Sequence, residues 1–168
     1  GGSNQEAIVL LRQSNDEASD GGKIYTSSTL AKLLARRGDL TQADKYIKKV
    51  QGYVSRVDYY SWDPVDFASA RSVVAYSRAE VELMKGNYEE AISQASIAVN
   101  IIRPMKDRRT RDELSKTKGV PDDTAIRVFL FGLGIKARSL SAAGRFIEAE
   151  IAEREMLVEA LRKYGRYS

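Results

Sequence analysis

The chain has 168 residues and a formal net charge of +4, and its 43% hydrophobic and 30% charged residues fit one folded domain or a short repeat array rather than a disordered or collagen-like chain. It contains no Cys and no His, which removes thiol nucleophiles, disulfides, zinc sites of the usual kind, Ser-His-Asp triads and imidazole acid-base chemistry together. Its apolar stretches, such as residues 7–11, fall far short of the ~20 residues that a membrane-spanning helix needs.

Along the chain, apolar residues recur at i, i+3, i+4 and i+7, and Pro64, Pro104 and Pro121 stand where that pattern breaks. The expectation is all helix. Residues 1–3, Gly-Gly-Ser, read as a leftover linker, and they leave open whether a leader once preceded them. A first helix is expected over 5–19, with a loop to residue 22, then helices over 23–37 and 41–57. The aromatic-rich stretch 53–67 lacks strand alternation. Asp63-Pro64 supplies a capping acceptor followed by a residue whose missing N–H costs nothing at the first helical position, which predicts a helix start at 64 and a helix to 85. Further helices follow over 88–103, 122–143 and 146–164. Pro121-Asp122-Asp123-Thr124 offers the same kind of start as Asp63-Pro64, and Gly165 lies where a C-terminal cap is expected.

Three segments align on a glycine, namely Gly38, Gly86 and Gly144. Seven positions before it stand Ala31, Ala79 and Ala137, and two after it stand Leu40, Tyr88 and Phe146. Five after it stand Ala43, Ala91 and Ala149, and twelve after it Val50, Ala98 and Met156. Four matched columns in three copies are hard to obtain from unrelated helices. Their mechanical meaning is a helical hairpin: small residues let two helices approach, the glycine permits a tight turn, and the bulky residue after it wedges between the helices. An ordinary helical bundle is the competing architecture, but it has no need of one column order three times.

At these residues the chain resembles the tetratricopeptide repeat family, GNYEEAI around Gly86 being the closest match, and the resemblance covers most of residues 25–164. It departs in spacing, since the glycines are 48 and 58 residues apart against the ~34 of that family, and in Arg78 and Glu82, which stand where the family places Leu and Tyr. The resemblance implies an all-α, right-handed superhelical array of about seven helices in a single domain. Residues 23–168 would form three extended hairpins, and residues 5–22 a cap or half repeat with its loop. It also implies a groove lined by first helices, which on this chain maps to Tyr25, Ser28, Lys32 and Arg36, then Val73, Tyr76, Glu80 and Leu83, then Phe131, Gly134 and Arg138. Apolar floor with cationic edges suits an extended acidic peptide or partner helix, with the aromatics giving contact area and Arg giving forked hydrogen bonds. Thr29 and Ser77 stand where the family's chaperone-tail clamps carry polar amides, so a chaperone-tail receptor is disfavoured.

Other segments offer secondary candidates. Between Arg103 and Lys118 there are seven basic and three acidic residues, with Arg108, Arg109 and Arg111 at the centre of the excess. Acids are interleaved and no aromatic is present for base stacking, so nucleic acid is not the expected partner, and a solvated loop is the plainer reading. The cluster Tyr53, Tyr59, Tyr60, Trp62 and Phe67 suits either a hot spot or the packing of an inter-repeat turn. The paired acids Glu89-Glu90 and Asp122-Asp123 lie at helix starts, and adjacent helical residues point apart, so no enzyme and no cofactor are expected. Together these features describe a non-catalytic adaptor or scaffold that binds a protein or peptide. The alternatives are a regulatory segment of a larger multidomain protein and a self-associating scaffold, the latter from the apolar run of Met156, Leu157, Val158, Ala160 and Leu161. The compartment stays open; zero Cys is compatible with an exported bacterial protein.

Overall fold

The computed structural model describes residues 2–56, 62–106 and 123–165. Among them all regular structure is helical: α1 (Gly2–Glu17), α2 (Asp20–Arg36), α3 (Leu40–Arg56), α4 (Pro64–Lys85), α5 (Tyr88–Ile102), α6 (Thr124–Ala142) and α7 (Phe146–Tyr164), with a short 3-10 turn at Arg103–Met105. The protein is all-α. Every expected helix occurs, and no end moves by more than three residues.

The three aligned glycines close α2, α4 and α6 in one way. Gly38, Gly86 and Gly144 have φ of 84°, 83° and 77°, the left-handed region that a Cβ disfavours. Their N–H groups donate to Ala35, Leu83 and Ser141, and those of Asp39, Asn87 and Arg145 reach back to Leu34, Glu82 and Leu140. This double closure satisfies carbonyls that a helix end otherwise orphans. A Cβ at any of the three would meet nothing within 4 Å, so the backbone angle alone demands glycine.

Helix starts are less uniform. Asp63 Oδ1 accepts from the N–H of Val65 at 2.8 Å and of Asp66 at 3.4 Å, with Pro64 at the first helical position. The parallel start expected at Asp123 differs: its side chain makes no cap hydrogen bond and instead pairs with Arg127 at 3.1 Å. Gly165 keeps a right-handed φ of −71°, so it ends α7 without the left-handed turn. α2 starts three residues before the expected 23, because Ser19 Oγ accepts from the N–H of Gly22 and the two glycines form its first turn. There Gly21 answers a packing need, since a Cβ on it would lie 2.7 Å from Cζ2 of Trp62.

Hairpins α2–α3, α4–α5 and α6–α7 follow one another, and both helices of each contact the first helix of the next: α2 and α3 touch α4, and α4 and α5 touch α6. α1 packs on α2. Of the matched columns, Ala31, Ala79 and Ala137 and then Ala43, Ala91 and Ala149 are buried, which is what close approach of paired helices requires. The bulky column behaves otherwise: Leu40 is half-buried, whereas Tyr88 is 41% and Phe146 69% exposed, so neither wedges between helices. Each is the first residue of its helix, and helical side chains lean toward the N-terminus, here out of the hairpin. The largest core cluster joins α4, α5, α6 and α7 through residues such as Val73, Val99, Phe129, Leu133 and Ala152. A second joins Ile8 of α1 to Leu30, Ile47 and Val81, and a third packs Trp62 and Tyr53 on Ile24, Val50 and Ala70.

Candidate functional site

One open groove of about 550 Å³ collects residues from every first helix: Lys32 and Arg36 from α2, Tyr76 and Glu80 from α4, and Phe131 and Arg138 from α6. Leu130 and Ile135 add to its apolar surface, and Met156 and Ala160 of α7 form a further wall. The first helices bring these residues together because α2, α4 and α6 contact in succession, and Lys32, Glu80 and Arg138 occupy the same position relative to their turn glycines.

Glu80 organises the polar part. Its side chain is 5% exposed, and Oε1 accepts from Arg36 Nε at 2.7 Å and from Arg138 Nη2 at 3.0 Å. Burial alone would raise its carboxyl, but the two guanidinium hydrogen bonds and charges hold it below the ordinary carboxylate value. The Arg36 and Arg138 side chains are half open to solvent, at 54% and 51% exposure, and each guanidinium has N–H donors beyond the one given to Glu80. Three cations against one carboxylate leave the groove with a net charge of about +2.

The apolar part is aromatic. Tyr76 and Phe131 stand 6.2 Å apart at 48°, and Phe131 is 62% exposed. Lys32 Nζ lies 4.8 Å from the centre of the Tyr76 ring. Burial lowers the Lys32 ammonium from its ordinary value, with Glu80 opposing and Arg36 assisting, and burial pushes the Tyr76 hydroxyl up to about 12, helped by Tyr25 and Glu80.

Of the residues mapped to the groove from sequence, Lys32, Arg36, Tyr76, Glu80, Phe131, Gly134 and Arg138 line it. Ser28 and Val73 do not: they are 0% and 5% exposed, inside the packed layer, and present no surface to a partner. Tyr25 and Leu83 are half-buried against the largest core cluster. The cationic edges are also differently disposed from the sequence expectation, because Arg36 and Arg138 are already engaged by Glu80. A signal for that was present: Lys32, Glu80 and Arg138 all stand six residues before their turn glycine, so one column alternates in charge. Leu130, Ile135, Met156 and Ala160 carried no comparable signal.

The secondary candidates separate. Arg108, Arg109 and Arg111 lie outside the described residues, as do Tyr59, Tyr60 and Asp122. Tyr53 and Trp62 pack where the first two hairpins meet, and Arg71 stands over the Phe67 ring at 5.7 Å. Glu89 pairs with Arg145, and Glu90 with Arg78, so those adjacent acids diverge. The Ser77 hydroxyl is buried without a hydrogen-bond partner. No helix among the described residues is long and apolar enough to cross a membrane.

No family model matches the chain, no curated protein matches it, and no solved structure matches it.

Proposed function

We propose that this chain is a non-catalytic protein-interaction module, a tetratricopeptide-like superhelical array that binds an acidic peptide or partner helix across its first helices. One observation carries the reading: Lys32, Arg36, Tyr76, Glu80, Phe131 and Arg138, drawn from three successive hairpins, line a single groove with an aromatic floor and surplus positive charge. A ligand crossing that groove meets all three hairpins, as an adaptor surface requires. The outward N–H donors of Arg36 and Arg138 suit carboxylates, and the exposed Phe131 ring, backed by Tyr76, suits an apolar or aromatic side chain laid against it. Glu80 pre-orders the two guanidiniums, so their rotamers need not be frozen at binding.

The test is fluorescence anisotropy with a labelled peptide that alternates Glu with Leu and Phe, circular dichroism confirming the fold of each variant. Lys32→Glu with Arg138→Glu is expected to weaken binding by roughly tenfold or more. Glu80→Gln raises the groove charge while its amide oxygen still accepts from Arg36 and Arg138, and is expected to tighten binding. Affinity unmoved by either change would remove the proposal.

Self-association is a second reading, favoured by one feature of α7: Ile147, Ile151, Leu157, Val158 and Leu161 are between 58% and 78% exposed on a single helix.

A further inference from the structure

α3 (Leu40–Arg56) carries a second polar surface, separate from the groove because it belongs to the second helix of its hairpin. Lys45, Lys48, Lys49 and Arg56 surround Gly52 in a shallow depression of about 780 Å³, together with Asp44. Asp44 does not neutralise them, because its carboxylate is held by Lys85 Nζ of α4 at 2.6 Å. Lys45, Lys48 and Lys49 have no hydrogen bond or ion pair with any described residue and are exposed. Among the described residues, the ion pair of Arg56 is a long one, 3.8 Å to Asp20. Aromatic rings hold several cations in place: Lys49 lies 5.2 Å from the centre of Tyr46, and Arg56 and Lys23 lie 5.1 and 6.0 Å from that of Tyr53.

Gly52 is the second, independent sign. A glycine inside a helix is destabilising relative to Ala. Unlike the turn glycines, Gly52 has no positive φ, and a Cβ there would meet only Arg56 Nη1 at 3.6 Å, an ordinary contact. Neither backbone nor packing asks for it. What it supplies is an opening between Lys48, Lys49 and Arg56, which are its neighbours on the helix surface.

We propose that this face binds a compact oligophosphate anion, whose phosphoryl oxygens accept from Lys45, Lys48, Lys49 and Arg56 over the bare backbone at Gly52. The ammonium groups act as point charges suited to phosphate, and Lys48, Lys49 and Arg56 each lie about one helical turn from Gly52, close enough for their long side chains to meet on one short chain of phosphoryl groups above it. Tyr46 and Tyr53 are half-buried beneath cations, and the depression offers no exposed ring to a base and no large apolar side chain to a bilayer. Recognition through phosphate alone, within a concavity one helix long, favours a small ligand over a duplex or a membrane.

Isothermal titration of the full chain with inorganic tripolyphosphate at low ionic strength tests the site. The expected result is one-to-one binding that weakens roughly tenfold or more in Lys48→Gln with Lys49→Gln. Gly52→Leu fills the opening and should weaken binding while raising the melting temperature, which separates a blocked site from a damaged fold. Lys136→Gln with Lys163→Gln, on α6 and α7, should leave affinity unchanged. Absence of binding, or equal weakening in that control pair, overturns the proposal. A short DNA duplex bound more tightly than tripolyphosphate also overturns it, and assigns the face to a nucleic-acid backbone.

Discussion

Glu80 shows how one side chain ties three hairpins together. Its carboxyl is held below the ordinary value, against burial, by hydrogen bonds from Arg36 and Arg138. A carboxylate depressed in the folded state contributes stability that is full above its unfolded value and lost as pH falls through the folded one. The stability gap between the wild type and Glu80→Gln, about 1 kcal/mol at neutral pH given the solvent-exposed guanidiniums, is therefore expected to close below pH 4.5. Urea unfolding over that range checks it, and a gap that persists in acid would assign the contact no electrostatic share. Tyr76 gives the opposite sign. Its hydroxyl is pushed up to about 12 by burial, so the stability tied to the neutral form is present below the ordinary value of 10.0 and lost between the two. Near-ultraviolet titration of tyrosinate, with the helix signal followed in parallel, should show a late-ionising contribution that Tyr76→Phe removes.

At the scale of the element, the hairpin turn is the repeated device. Gly86→Ala forces a Cβ into the left-handed region and is expected to cost about 1–2 kcal/mol, although the space around it is empty. Gly21→Ala is expected to cost about 1–3 kcal/mol by the other mechanism, overpacking, because Trp62 lies in the way. Trp62 is the chain's single tryptophan. Its emission should shift in Gly21→Ala and stay put in Gly86→Ala. Equal emission in both would mean that the ring does not pack there. Two glycines that look alike in sequence thus serve different needs, one set by backbone angle and the other by a neighbour distant in the chain.

For the whole molecule, each hairpin contacts the next through the same pair of relations, and among the described residues no further first helix packs on α7 as α4 packs on α3 and α6 on α5. α7 carries large apolar side chains that are exposed among the described residues, with Ile147 78% and Val158 63% exposed. Sedimentation velocity is expected to show concentration-dependent association that Ile151→Lys with Val158→Lys abolishes. A single monomeric boundary at the highest concentration, for the unaltered chain, would dismiss self-association.

Helix positions, the turn glycines and the Asp63–Pro64 cap were legible because they rest on short-range physics: apolar spacing, left-handed backbone angles and a side chain two residues from the N–H that it satisfies. The three alanine pairs that bury at the hairpin crossings were legible for the same reason, repeated at fixed distance from a glycine. Tertiary structure alone decided the rest. Ser28 and Val73 sit inside the packed layer while Lys32 and Phe131 open to the groove, which depends on how α2, α4 and α6 rotate against each other. That Arg36 and Arg138, from hairpins separated by a third, converge on one oxygen of Glu80 depends on the stacking of all three. Between charges 44 and 58 residues apart in sequence the shared column of Lys32, Glu80 and Arg138 gives a hint of pairing but no geometry; only packing brings them within hydrogen-bond reach.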